Sequence, residues 1–293
     1  MATQVSLSTR RIEWMLELPG RAAKLRLPWI PITIVSILLI CALFAPLLAS
    51  HDPEFVSIFD SRIAPGESLS HPLGTDILGR DILARLIFGA RTAILISLVA
   101  LGTGAVVGSA LGLIAGYRGG WADILIMRSA DAALGFPTIL VAMIVVTILG
   151  TGIENIILAV VLTVWARFAR MIRGDVLFIK ELDFVICAKI AGVSDSMIIM
   201  RHIFPNTINT LMVVTSLLVG QVILLEASLS FLGLGLPPGA PAWGIMVSEG
   251  KSEILAVWWL SLFPGLAITI VVLSFNFFGD WLRDTLDPKL RRA

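Results

Sequence analysis

Few residues in this chain have the types and spacing that bond-making chemistry needs. The histidines are His51, His71 and His202. His51 and His71 share one polar stretch with Asp52 and Asp76, so a metal site is conceivable there, although the spacing matches no standard ligand pattern. The stretch GIMVSEGKS at 244–252 approaches a phosphate-binding loop. However, five residues separate Gly244 from Gly250 where the loop has four, and Ile245 stands where glycine is needed. No strand is predicted before it, so nucleotide binding is excluded. No nucleophile, base and orienting group come together in sequence, so nothing points to catalysis. Cys41 lies in an apolar run and Cys187 in a polar one, which argues against a disulfide or a thiolate metal site. Two carboxylates stand within the apolar runs: Asp131 in SADAALGFPTIL is expected near the membrane interface, where a carboxylate costs little, whereas Glu226 lies well inside VILLEASLSFLGLG. Such a group faces a cavity or a partner, or stays protonated. Glu226 is therefore a candidate for a translocation path or a proton relay, or for a buried bond to a neighbouring helix.

The elements that must position these residues are membrane spans. The chain has 293 residues, 57% of them hydrophobic and 15% charged, against about 25% charged in soluble domains. Its mean hydropathy is +0.93, and the net charge of +1 leaves no electrostatic footprint for nucleic acid. Six apolar runs approach the roughly 20 residues a bilayer needs: 29–49, 90–117, 130–150, 153–171, 207–236 and 258–281. The N-terminal run is too long, and its polar lead too extended, for a signal peptide. Arg10, Arg11, Arg21, Lys24 and Arg26 precede the first span. Arg167, Arg170, Arg173, Lys180, Lys189 and Arg201 crowd the fourth connection, and Arg283, Lys289, Arg291 and Arg292 the tail. The first connection carries Asp52, Glu54, Asp60, Glu67, Asp76 and Asp81. A six-span count puts the basic segments on one side, which the positive-inside rule makes cytoplasmic. The expected organisation is a cytoplasmic segment 1–28 and a transmembrane domain 29–293, with an outer loop at about 50–88 and a cytoplasmic connection at about 172–206. Gly104, Gly108, Gly112 and Gly116 repeat every fourth residue, a stripe that lets another helix approach closely, within the subunit or at a subunit interface. Pro137 is expected to kink the third span.

The fourth connection contains a punctuated island, FVICAKIAGVSDSMIIMRHIFPN at 184–206. ELDFVICAKI suits a short helix, with Gly192 as its stop. Ser194 and Asp195 can cap a second short helix. Pro205 is expected to end it and Asn206 to cap the next span. Met197, Ile198, Ile199 and Met200 would lie partly exposed beside Arg201 and His202, a surface suited to a protein cleft.

AGVSDSMIIMRHIFPN resembles the cytoplasmic EAA coupling loop of ATP-binding-cassette (ABC) import permeases, in the version found in the second permease of dipeptide, oligopeptide and nickel importers. Ala188, Gly192, Asp195, Arg201, His202, Pro205 and Asn206 fit that pattern, while Ile186 and Cys187 stand where the loop's namesake Glu-Ala usually stands. HPLGTDILGRDILARLIFGART at 71–92, GLIAGYRGGWAD at 112–123, EASLSFLGLGLPPGAPAWG at 226–244 and FPGLAITIVVLSFNFFGDWLRDTLDPKL at 263–290 resemble the same family in the same order. The resemblance implies an all-α membrane protein of six transmembrane helices, the type I ABC importer permease fold, with both termini cytoplasmic. It implies a multi-pass protein of a bacterial or archaeal cell (inner) membrane. Its partners would be a homologous second permease, two ATPase subunits that bind ATP and Mg, and an extracellular or periplasmic substrate-binding protein, with no cofactor in this chain itself. Phe184, Ala188, Gly192, Ser194, Asp195, Arg201, His202, Pro205 and Asn206 would then couple to the ATPases, and Glu226, Asp131 and Pro137 would be candidates for the translocation path. Peptides are the first expectation for substrate. A different class, a proton-coupled carrier working through Glu226 and Asp131, leaves the island unexplained.

Overall fold

The computed structural model describes residues 27–286. The basic residues at 10–26 and 289–292 lie outside them. Among the described residues there is no strand, only an isolated bridge between Thr75 and Asp81. Helices dominate because a backbone in lipid must satisfy its own hydrogen bonds. In chain order they are α1 (Trp29–Leu48), α2 (Ile82–Arg118), α3 (Gly120–Leu134), α4 (Thr138–Leu149), α5 (Ile153–Ile179), α6 (Asp183–Ile190), α7 (Asp195–Ile198), α8 (Phe204–Phe231), α9 (Trp243–Lys251) and α10 (Trp259–Leu286).

Five helical stretches are individually long and apolar enough to cross a membrane. The expected third span, 130–150, is not one helix: α3 and α4 meet at 89°. Pro137 sits at the N-cap of α4 rather than inside a kinked helix, because it cannot donate to a continuing ladder and biases Phe136 away from helical geometry. Counted as one span, the bent pair brings the total to six. Asp123 and Asp131 on α3 pair with Arg173 and Arg170 near the C-terminal end of α5. Ala142 and Val146 on α4 pack with Ala159 near the other end of α5. The pair thus starts beside one end of α5 and finishes beside the other.

The second span also begins earlier than expected. Asp81 caps α2 through Oδ2, which accepts from the Ala84 N–H at 2.7 Å. The resulting 37-residue helix is about 55 Å long, well beyond the hydrocarbon core. Its glycine stripe settles the question left open by the sequence, because it packs within the subunit. A Cβ at Gly108 would lie 2.3 Å from the Trp165 carbonyl oxygen, and one at Gly112 2.6 Å from that of Ala169. At Gly104 and Gly116 it would meet Val164 and Val176. Backbone on backbone, α2 and α5 form the central seam.

The loop ahead of α2 is held by charge. Asp76 Oδ2 accepts from Arg80 Nε at 2.6 Å and from Arg85 Nη1 at 2.7 Å. Glu249 Oε2, on α9, accepts from Arg80 Nη2 at 3.0 Å and Arg85 Nη1 at 2.7 Å. The Asp76 and Arg85 side chains are wholly buried. Burial alone would pull the Arg80 pKa down, but Asp76 and Glu249 outweigh it and raise it. Two tryptophans pin the same region: Trp259 Nε1 donates to the Thr75 carbonyl and Trp243 Nε1 to that of Leu86, each at 3.0 Å.

Two outcomes follow for the purified protein. Gly108→Ala forces the seam open and lowers stability by about 1–3 kcal/mol, read as a fall in thermal midpoint. Asp76→Ala leaves two buried guanidiniums sharing the one carboxylate of Glu249, so one buried charge goes uncompensated at a cost of about 3–5 kcal/mol, read as loss of folded protein in detergent.

Candidate coupling surface

The island leaves the bundle from the C-terminal end of α5. Lys180 Nζ donates to the Gly116 carbonyl at 3.1 Å, so a cation sits on the negative end of α2. After α6 the chain reverses at Gly192, where φ is +77°. The Gly192 N–H donates to the Lys189 carbonyl at 3.0 Å and the Val193 N–H to that of Ala188 at 3.1 Å. This pair of bonds is a Schellman motif, so the expected stop at Gly192 is present, together with its cause. A side chain at 192 would carry about 1–2 kcal/mol of left-handed strain, yet a Cβ there would meet open space.

Beyond the turn the expected break is absent. Asp195 to Phe231 runs as one helical stretch, with a π-helical segment, Ile199–Ile203, joining α7 to α8. The Phe204 N–H reaches back to the Ile199 carbonyl, five residues away. The widened turn accommodates Pro205, which lies in the first turn of α8, where its missing N–H costs little. Ser194 stands at the N-cap of α7 without a side-chain capping bond. Asn206 caps nothing: its Nδ2 donates to the His202 carbonyl at 2.6 Å. Phe184 and His202 lie against each other, ring centroids 6.3 Å apart.

One face of the island is locked to the bundle. Val185, Ile198 and Ile203 are fully buried in a cluster with Leu113, Ile172, Val176 and Ile179, against which Ala188 also packs. Ile198, expected at the surface, therefore belongs to the core. Other apolar groups stay outside it: Ile190 is 82% exposed, Met200 62% and Met197 50%. Phe184, Asp195, Arg201, Pro205 and Asn206 are exposed as well.

Tyr117 joins the site, a residue that no motif had singled out. Its hydroxyl donates to Asp195 Oδ1 at 2.6 Å, and Lys189 Nζ lies 5.4 Å above its ring. The last turn of α2 thereby touches both arms of the island. Its being the chain's single tyrosine, inside GYRGG, was the available signal.

The path candidates do not converge. Asp131 is exposed and paired with Arg170 at 2.7 Å. Glu226 is buried and accepts from Ser230 on its own helix at 2.7 Å, not from a neighbouring helix as the sequence allowed. It lies one turn from Leu229, which packs against Ala159, far along α5 from Arg170. The two carboxylates are therefore not brought together.

This helical architecture has known relatives. Residues 108–292 match the family described as binding-protein-dependent transport system inner membrane component. The chain belongs to that family. It is 42% identical over 257 residues to the glutathione transport system permease protein of Pectobacterium atrosepticum, covering 88% of this chain and 85% of the relative. The Escherichia coli O157:H7 counterpart is 43% identical over the same span, 88% of this chain and 84% of its own. The dipeptide transport system permease protein of Alkalihalophilus pseudofirmus is 40% identical over 268 residues, 92% of this chain and 88% of the relative. The chain is thus a multi-pass inner-membrane permease with the type I importer fold, a transport subunit of an ABC importer and not an ATPase. Its relatives work with ATPase and substrate-binding partners, so an ATPase-facing surface has to exist on the permease.

Tyr117→Phe removes one hydrogen bond between α2 and the island. Backbone amides at 194–198 should then exchange up to about tenfold faster, for a bond worth roughly 1 kcal/mol, while those of α5 stay unchanged. Hydrogen exchange read by mass spectrometry checks this.

Proposed function

We propose that this permease forms half of the translocation path of a peptide importer and docks one ATPase subunit through residues 184–206. The observation that carries the reading is the two-sidedness of the island. Val185, Ile198 and Ile203 anchor it, while Ile190, Met197 and Met200 face outward. Burying each outward side chain in a partner's cleft would contribute about 1.5–3 kcal/mol. Asp195, Arg201 and His202 supply a polar rim, and the Gly192 turn lets the two arms enter a narrow cleft. ATP and Mg belong to the two ATPase subunits, and a homologous permease supplies the other half of the path.

Sidedness follows from charge. The island and the basic ends of α5 and α10 lie in the cytoplasm with both termini, and the loop rich in Asp and Glu lies outside, where a loaded binding protein would meet it. The break at Pro137 is the hinge at which α4 swings against α3 when the ATPases close, with Asp131 beside it and Glu226 in the facing half of α8. Peptides are the substrate class, supported by relatives named for glutathione and dipeptide transport.

Gly192→Ala and Gly192→Glu separate docking from folding. Both carry the same left-handed strain and both have room in the isolated chain. In the full complex, reconstituted with its binding protein, the alanine variant should keep uptake of labelled dipeptide or glutathione coupled to ATP hydrolysis. The glutamate variant should assemble, fully or weakly, but hydrolyse ATP without uptake. Normal uptake by the glutamate variant would refute docking at this turn.

A further inference from the structure

We propose that His51, His71 and Asp81 bind a divalent transition-metal ion of the zinc class at the end of the bundle opposite the island. One ligand atom from each residue lies within 4.8 Å of the others. The sequence had offered Asp52 and Asp76 as the carboxylates. The fold brings neither of them to the two histidines, and Asp76 is taken by Arg80 and Arg85. It supplies Asp81 instead, whose role as the cap of α2 fixes it in place. With Oδ2 on the Ala84 N–H, Oδ1 is left facing His71 Nδ1 at 3.0 Å.

A hydrogen bond between His71 and Asp81 accounts for two of the three residues but not for His51. The His51 Nδ1 is buried without any hydrogen-bond partner. Its ring lies 4.6 Å from that of His71, centroid to centroid. Leaving such a nitrogen unsatisfied costs about 1–3 kcal/mol, and a bound cation removes that cost. Two imidazoles and one carboxylate form a donor set for zinc-like ions with a position open to water, whereas calcium and magnesium take nearly all-oxygen shells. Ligands on one such ion, with bonds of about 2.0–2.2 Å, sit roughly 3–3.5 Å apart. The His71–Asp81 pair already has that spacing, and a small rotation of the half-buried His51 ring completes it. The nearby guanidiniums of Arg80 and Arg85 are neutralised by Asp76 and Glu249 and do not oppose the cation. The ion would tie together the chain just beyond α1, the middle of the loop and the first turn of α2. The proposal does not depend on the docking surface at the other end.

The test uses the importer purified through a tag on this chain, stripped with chelator and titrated with Co2+. The expected result is a ligand-field absorption band that saturates at one ion per copy of this chain and is displaced by Zn2+. His51→Ala, and His71→Ala likewise, should abolish the band or weaken binding by at least about 10–100-fold, the loss typical of even an outer-shell partner. A double Cys41→Ser, Cys187→Ser variant should keep it. If His51→Ala fails to assemble, His51→Gln replaces it. A wild-type complex with no saturable band, or a band that survives loss of His51, overturns the proposal.

Discussion

The close approach of α2 to α5 is the constraint on which the rest depends. Lipid provides no hydrophobic force to press one helix on another, so the seam relies on contact between backbones, which only a stripe of glycines permits. With a methyl group at Gly108 or Gly112, a carbonyl of the facing helix would have to move. Everything of functional interest hangs from the two ends of this seam. At one end α2 holds Asp81 and Arg85. At the other it holds Gly116 and Tyr117, which touch Lys180 and Asp195. A helix of about 55 Å therefore joins the acidic loop to the island.

The two ends are built on opposite physics. Ahead of α2, buried charge fixes the loop: two guanidiniums and two carboxylates, useful as a locator because removing any one member leaves the buried charges unbalanced. At the far end the attachment is apolar, a cluster around Ile172, Val176 and Ile198, with a single hydrogen bond from Tyr117. An apolar joint can slide and repack at small cost, which suits a part that follows a partner. A charged one resists displacement, which suits a part that presents a fixed face. Between them α3 and α4 run beside α5 in two pieces that meet at 89°, with Pro137 at the break.

Much of this was legible in the residues. The long apolar runs gave the spans, the fourfold glycine step gave the stripe, and Gly192 gave the turn, because each signal is local. What was misread depended on partners far away in the chain. Ile198 looked like a surface residue until α2 and α5 were set beneath it. Pro205 looked like a stop, because nothing local announces a π-helical turn upstream. Asp76, Arg80 and Arg85 stand close in sequence, but their meeting with Glu249 requires the whole loop to fold back on α9. Asp81 could not be put with His51 and His71 from spacing alone, since the turn that joins them is made by the same loop. Membership of the permease family was carried by motif order.

The central claim is that the island is the surface an ATPase grips. Its most direct test places one thiol there, Met197→Cys in a Cys187→Ser background, with a short photo-crosslinker attached in native membranes. The account predicts a crosslinked product between this chain and the ATPase subunit, together with protection of the thiol from an aqueous maleimide in the assembled complex. A thiol that stays fully reactive after assembly and yields no ATPase product would contradict it.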